Sequence, residues 1–216
     1  MKLFKVFGIL AVLLMTASLS SCLKSDDSED LNQKWADWVK EVNTEIDASV
    51  GSYEGKLYAL ADSATKSNLK YDSIPAVWRV YSDSTLDLMN VPVEYLVKRM
   101  PETQKALKDA VCSVGNVNIH VPMVYNYYYH SPLVMYVYPQ TVTFPVEYGG
   151  ETHQIKIYFR STETASSSLA QYMMKDNTGN VHKFILQLYP ESLYMDDKCQ
   201  TQFPEESYLV WLGAKN

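Results

Sequence analysis

The chain has 216 residues, of which 47% are hydrophobic and 20% charged, with a formal net charge of -6. That hydrophobic fraction is normal for a globular protein and excludes a chain that is disordered throughout. The acidic balance argues against a nucleic-acid groove, which needs clustered positive charge. Seventeen tyrosines against six phenylalanines favour β-strands and partly solvated aromatic surfaces.

Residues 1–21 have the organisation of a secretory signal peptide. Two lysines precede an apolar run over residues 6–15, which is too short to cross a bilayer as a helix. Leu19-Ser20-Ser21-Cys22 then resembles the bacterial lipobox, in which the cysteine thiol receives a diacylglycerol group and begins the mature chain. The alternative is an ordinary signal peptide followed by an incidental cysteine. Because all the elements occur in the right order, we expect a membrane anchor on Cys22.

The segment 22–30 is predicted to be a lipidated acidic tether. Its run Ser25-Asp26-Asp27-Ser28-Glu29-Asp30 resembles the export tag that sends Bacteroidetes lipoproteins to the outer face of the outer membrane. The alternative is a solvated spacer that keeps the domain away from the lipid. We therefore expect a protein of the outer membrane that faces the cell exterior, with the periplasmic face as the alternative.

An amphipathic helix is predicted over residues 31–50, ending at Gly51. Its apolar residues recur at helical spacing and form one stripe: Leu31, Trp35, Trp38, Val39, Val42 and Ile46. A helix that lies on a membrane is normally basic on its polar face, whereas this one is rich in acids. The pattern favours packing on the domain that follows.

Residues 51–216 are predicted to form an antiparallel β domain with a helical insertion near 91–112. Apolar and polar residues alternate in several segments, including 53–57, 78–80, 155–159, 184–188 and 208–212. Turns are predicted at Gly149-Gly150 and at 176–179, and Pro92 and Pro101 precede the helical patterns. The fold is therefore mainly β, with about eight strands, and the pattern fits a sandwich or a barrel equally.

Two cysteines remain once Cys22 is lipidated, namely Cys112 and Cys199. Outside the cytoplasm such a pair can form a disulfide, which would close a long loop. The alternative is two buried thiols, and the sequence does not choose between them.

Residues 63–66 and 67–70 match the Ser-x-x-Lys pattern of penicillin-binding enzymes, but the companion elements are missing and we interpret the matches as accidental. No other motif for catalysis, metal binding or phosphate binding occurs in the chain. The four histidines, His120, His130, His153 and His182, are scattered, with no two at the spacing of metal ligands. Carboxylates that meet only in the fold leave no sequence signal. The sequence thus predicts no catalytic residue, metal or cofactor.

The segment 123–148 holds seven tyrosines. An aromatic platform that stacks on sugars is one interpretation, and ordinary β propensity with rings in the core is the favoured one. Strand alternation places Tyr125, Tyr127 and Tyr129 on one face. Tyr128 and His130 share the other face and are the candidate ligand contacts.

Three triplets, beginning at Asp62, Asp72 and Asp83, resemble the acceptor sequence of Bacteroidetes protein O-glycosylation. The acceptor hydroxyls would be those of Ser63, Ser73 and Ser84. The alternative is turn chemistry, in which Asp and Ser side chains bond to nearby backbone.

The lipobox, the acidic tag and the triplets together resemble a Bacteroidetes envelope lipoprotein. The body of the chain also resembles small lipoprotein families of unknown function, through Tyr53-x-Gly55-x-Leu57, Asp83-Ser84-Thr85-Leu86 and Tyr148-Gly149-Gly150. The resemblance implies a cellular location and brings no catalytic residues.

Three functions remain as expectations. The first is a non-catalytic surface module that binds glycan or another envelope component, such as a protein. The second is a calycin-like barrel that carries a small apolar ligand. The third is a hydrolase whose acids meet only in the fold. The membrane, through Cys22, is a partner in each case, and nucleic acid in none.

Overall fold

A computed structural model describes residues 25–61, 69–130, 133–160, 168–175 and 181–216. Clustering of contacts divides the chain into two units, Met1–Glu45 and Ile46–Asn216. Within the described residues the elements follow in chain order: α1 Ser25–Ser49, β1 Gly51–Leu60, β2 Tyr71–Val80, β3 Thr85–Pro92, α2 Val93–Leu96, a 3-10 helix Glu102–Gln104, α3 Lys105–Cys112, β4 Asn116–His130, β5 Leu133–Val137, β6 Val142–Tyr148, β7 Glu151–Phe159, β8 Leu169–Lys175, β9 Val181–Leu188, β10 Pro190–Met195, β11 Lys198–Gln202 and β12 Leu209–Lys215.

Eight of the strands form a closed antiparallel barrel. Around the barrel the order is β1, β2, β3, β4, β5, β8, β9 and β12, and β12 pairs with β1 to close it. These strands pair in the order in which the chain visits them, so the barrel is an up-and-down meander. The mainly β, antiparallel fold predicted from the sequence is confirmed, and the architecture is a barrel.

The other four strands form a second sheet in the order β11, β10, β7 and β6. The hairpin β6–β7 lies in the connection between β5 and β8, and the hairpin β10–β11 lies between β9 and β12. Gly149 and Gly150 form the two-residue turn between β6 and β7, with φ angles of 64° and 88°. Both angles suit a type I′ turn, which glycine favours. The predicted hairpin at this position is confirmed.

Aromatic side chains fill the barrel. The rings of Tyr53 and Trp78 are stacked 5.6 Å apart, and the ring of Phe184 lies 5.1 Å from that of Tyr53. An eight-stranded barrel is just wide enough for its own side chains to fill it. The inward residues of the predicted strands are buried, as the alternation indicated: Tyr53, Leu57, Trp78, Val80, Ile155, Ile157, Phe159, Phe184, Leu186, Leu188 and Trp211.

The last residues of α1 hydrogen-bond with the barrel strands of their own unit. The carbonyl oxygen of Ser49 accepts from the hydroxyl of Tyr53 at 2.6 Å. The carbonyl oxygen of Ala48 accepts from Tyr172 at 3.0 Å and from Lys215 Nζ at 2.8 Å. Carbonyls at a helix C-terminus have no partner within the helix. These three donors therefore satisfy the carbonyl groups of Ala48 and Ser49.

The helices between β3 and β4 confirm the predicted insertion near 91–112. Pro92 and Pro101 stand immediately before α2 and the 3-10 helix, where a missing N–H group costs nothing. On α3 the buried residues are Leu107 and Val111. This compact helical segment connects two neighbouring barrel strands.

The N-terminal helix is confirmed and begins at Ser25, so part of the predicted acidic tether is helical. In its first half Leu31 and Trp35 are 44% and 50% exposed, and the rings of Trp35 and Trp38 meet edge to face at 5.3 Å. Packing of the apolar stripe on the β domain stays a prediction. Within the described ranges, no helix has the length and apolar character needed to cross a membrane.

Candidate functional site

A polar groove runs between the outer face of β4 and the beginning of β6. Its volume is about 360 Å³, and residues 117–120 and 140–143 line it. Sites for small ligands typically measure about 300–1,000 Å³. The groove is therefore large enough for a small ligand or for part of a chain-like one.

Strand alternation turns polar side chains toward this groove. On β4, Ile119 is buried in the core, whereas Asn118 and His120 point outward. On β6, Val142 is buried, whereas Thr141 before it and Thr143 after it are exposed. One set of alternate residues thus stabilises the fold and the other forms the groove.

Backbone pairing aligns four polar residues across the outer wall, which we call the polar row: Arg79, Asp87, His120 and Gln140. Arg79 on β2 is opposite Asp87 on β3, and Asp87 is opposite His120 on β4. The N–H group of Gln140 donates to the carbonyl oxygen of His120 at 2.9 Å. The polar row therefore begins with Arg79 on the barrel surface and ends with His120 and Gln140, which line the groove.

The imidazole of His120 is oriented by Asp87. Its Nδ1 lies 2.7 Å from Asp87 Oδ1, with the two side chains 41% and 36% exposed. Because an ionised carboxylate only accepts, Nδ1 carries the proton of the neutral ring and Nε2 becomes an acceptor. His120 thus presents a fixed tautomer to the groove.

A tyrosine and an arginine lie beside the same carboxylate. The Asp87 carboxylate raises the pKa of Tyr81, and Arg79 is opposite Asp87 in the strand register. The guanidinium carbon of Arg79 lies 5.3 Å from the centre of the Tyr81 ring. Asp87 therefore bonds to His120 and acts electrostatically on Tyr81.

The amide of Asn118 is also fixed. Its Oδ1 accepts from the backbone N–H of Asn90 at 2.9 Å, at a residue whose φ of 52° belongs to the left-handed region. The Nδ2 group of Asn118 is then the donor that remains for a ligand. Together the groove offers amide donors, an imidazole acceptor and the hydroxyls of Thr141 and Thr143, and none of the described residues that line it is acidic.

The candidate ligand contacts predicted from the sequence lie on the same strand as the groove. Tyr128 and His130 have their backbone in β4, but their side chains lie outside the described part of the structure. His120, the residue that the structure puts in the groove, was one of four scattered histidines in the sequence. Its partner Asp87 is 33 positions away, so only the pairing register of two strands reveals the pair.

The structure describes two of the three serines that are predicted to carry a glycan. Ser63 lies outside the described residues. Ser73 is exposed on β2, and Ser84 has a φ of 65° in the turn before β3. There the hydroxyl of Thr85 donates to Asp83 Oδ1 at 2.7 Å, which joins two side chains of the third triplet. Glycosylation of the three serines stays a prediction.

Cys112 and Cys199 are both free thiols in the structure, and no disulfide joins them. Cys112 is half-buried at the end of α3, and its burial raises the pKa of its thiol. The sequence analysis gave two buried thiols as the alternative to a disulfide, but Cys199 is exposed on β11. Its Sγ lies 3.7 Å from the carbonyl oxygen of Thr201. Separate elements hold the two thiols in different surroundings.

In the described ranges, no three His, Cys, Asp or Glu side chains are grouped so as to hold a metal ion.

Comparison with known proteins gives one match. The family described as Domain of unknown function (DUF4840) matches residues 48–195, from the end of α1 to the end of β10. This range includes seven of the barrel strands and every residue that lines the groove. No curated protein and no solved structure matches the chain. Because the family match covers more than half of the chain, the protein belongs to the DUF4840 family.

Proposed function

We propose that the protein is an envelope lipoprotein and a non-catalytic binding module, which holds a glycan or another envelope component in the polar groove. The observation that carries the proposal is the chemistry of the groove. The amide, hydroxyl and imidazole groups of the groove donate and accept hydrogen bonds, as the hydroxyl groups of a sugar do.

Preorganisation supports binding at this position. Hydrogen bonds within the chain hold His120 and Asn118 in one orientation. A ligand therefore does not have to order these side chains, which lowers the entropic cost of association. The hydrolase alternative has less support, because none of the described residues that line the groove is acidic and the carboxylate of Asp87 is bonded to His120.

The location belongs to the same proposal. The lipobox at Cys22 and the acidic segment after it support a protein that is anchored in the outer membrane and faces the exterior. Two or more acyl chains on one residue suffice for stable anchoring. A binding module on such an anchor would retain its ligand at the cell surface.

The test is a thermal-shift screen of the mature chain against neutral and acidic polysaccharides, followed by titration of each hit. Ligand at 100 times its Kd stabilises the folded state by about 2.7 kcal/mol, which moves the melting temperature by several degrees. We expect Asn118→Ala and Gln140→Ala to weaken binding, and Gln202→Ala, at an exposed glutamine of β11, to leave it unchanged. Equal binding by all three variants would reject the groove.

A second candidate is a calycin-like carrier of a small apolar ligand, which the closed up-and-down barrel favours. Packing of Tyr53, Trp78 and Phe184 inside the barrel opposes it, because a ligand would have to displace these rings. Displacement of a fluorescent fatty acid tests the candidate. If the parent chain binds the fatty acid and the Phe184→Ala variant binds it more tightly, the result would favour a carrier over the groove.

A further inference from the structure

Three tyrosines form a cluster on the barrel, which we call the tyrosine platform: Tyr71, Tyr189 and Tyr208. Tyr71 begins β2, Tyr189 stands between β9 and β10, and Tyr208 precedes β12. The hydroxyls of Tyr71 and Tyr208 are 2.6 Å apart. The ring centres of Tyr189 and Tyr208 are 5.9 Å apart.

The platform is both rigid and accessible. Gln187 Nε2 donates to the hydroxyl of Tyr189 at 2.7 Å, so all three hydroxyl groups have partners within the chain. Tyr71 is nevertheless 44% exposed, and Leu69 close to it in sequence is 56% exposed. Burial and the bond with Tyr71 raise the pKa of Tyr208 to about 12. The phenol of Tyr208 is therefore neutral at physiological pH.

Beside the platform lies a buried hydroxyl without a partner. Ser207 is 6% exposed, and its Oγ has no hydrogen-bond partner among the described residues. It lines a small cleft together with Tyr208, Tyr95 and Lys98. The free space there is about 10 Å³, enough for a single hydroxyl or water-sized group. An unmatched buried hydroxyl of this kind is a place where a hydroxyl from outside gains a bond.

Basic and acidic side chains are interspersed among the described residues around the platform. Lys98 pairs with Asp72, and Arg160 pairs with Glu205 at 3.9 Å. Arg99 and Glu206 both line the cleft. Charges of both signs in one place do not favour an ionic ligand of either sign.

We propose that the tyrosine platform is a second binding subsite, which takes a neutral saccharide with a sugar ring stacked on Tyr71. Amphipathic rings suit sugars, because the apolar face of a sugar ring packs on the aromatic face while its hydroxyls stay solvated. The inference rests on the proposed function for the class of ligand, and its residues are independent of the groove.

The experiment is calorimetric titration of the mature chain, with Cys22→Ser to keep it soluble. The probes are three neutral oligosaccharides (maltoheptaose, cellohexaose and mannohexaose), with polygalacturonate as the acidic comparison. We expect at least one neutral probe to bind, and Tyr71→Ala to raise its Kd at least about tenfold. Tyr71→Phe, which keeps the ring, is expected to stay within about threefold. The matched control is Tyr158→Ala, which removes a half-buried tyrosine that contacts Tyr194 on the second sheet.

Several results would overturn the inference: no neutral probe binds, polygalacturonate binds more tightly than every neutral probe, or Tyr71→Ala binds as the parent does. An equal loss in Tyr158→Ala would also overturn it. If Gln140→Ala abolishes binding and Tyr71→Ala does not, the platform fails and the proposed groove stands. If only Tyr71→Ala abolishes binding, the platform stands and the groove fails.

Discussion

The ring of Trp78 occupies the space above Gly213. A Cβ atom added to Gly213 would lie 2.5 Å from Trp78 Cη2 and 2.2 Å from the carbonyl oxygen of Glu54. Both distances are well inside van der Waals contact. The closure between β1 and β12 therefore needs glycine at residue 213, which lets the indole lie against the backbone, and at Gly55 opposite it.

Gly213→Ala is expected to destabilise the protein through this contact. Overpacking a filled core costs about 1–3 kcal/mol, and here one of the two clashes is with backbone, which relaxes poorly. Urea denaturation of the parent and the variant measures the loss. Ala214→Val, on the exposed side of the same strand, is the control and should stay within about 0.5 kcal/mol of the parent. Equal stability of Gly213→Ala and the parent would contradict the described packing.

A histidine–aspartate pair on the second sheet makes stability depend on pH. His153 Nδ1 lies 2.6 Å from Asp196 Oδ2, in the turn between β10 and β11 where Asp196 and Asp197 have positive φ angles. The bond with Asp196 raises the pKa of His153, and the bond with His153 lowers the pKa of Asp196. The raised histidine pKa gives a stabilisation that is complete below the unfolded value of 6.5 and is lost as the pH rises through the folded value.

The lowered aspartate pKa gives a stabilisation that is present above the unfolded value of 3.8 and is lost as the pH falls through the folded value. The ion pair therefore stabilises most between these two pH limits. We expect the melting temperature of His153→Gln to fall further below that of the parent at pH 5.5 than at pH 8.5. The same difference at both pH values would show that charge in this pair does not affect stability.

The two free thiols should react at different rates. In a mature chain with Cys22→Ser, thiol counting under denaturing, non-reducing conditions should give two thiols. Under native conditions Cys199 should react first, because it is exposed while burial of Cys112 restricts access and disfavours its thiolate. Mass mapping after brief alkylation identifies the labelled residue. Zero thiols in the count would indicate a disulfide, and faster labelling of Cys112 would contradict the described burial.

Lipidation and export give a prediction in the native host. Mass spectrometry of the membrane fraction should show Cys22 at the N-terminus with a diacylglycerol thioether. Protease added to whole cells should remove the domain if it faces the exterior. An unmodified Cys22 would reject the anchor, and a protein that resists the protease in intact cells would place the domain on the periplasmic face.

Alternation along single strands was sufficient to predict much of the core. Tyr53, Trp78, Ile157 and Leu186 were each assigned to an inward face from their immediate neighbours, and each is buried. The hairpin at Gly149-Gly150 was predictable for the same reason, because glycine marks the positive φ angles that a two-residue turn requires. These features depend on residues a few positions apart.

The second sheet and the polar row depend instead on pairing between distant strands. β7 pairs with β10, with Ile157 opposite Leu193, and both strands belong to the second sheet and not to the barrel. Neither strand's own sequence indicates this partner. The same holds for Asp87 and His120, because a helical insertion separates β3 from β4 and conceals their register. The hydrogen bond between the hydroxyls of Tyr71 and Tyr208 joins residues that are 137 positions apart, so local sequence patterns could not predict it.

The most direct test of the central claim is NMR mapping of the ligand site on the isotope-labelled mature chain. A saccharide that binds in titration is added stepwise, and backbone amide shifts are followed. We expect the largest shifts to cluster at residues 117–120 and 140–143, with the side-chain amides of Asn118 and Gln140 among them. Shifts that leave these residues unchanged while residues inside the barrel move would contradict the groove and favour a carrier of small ligands.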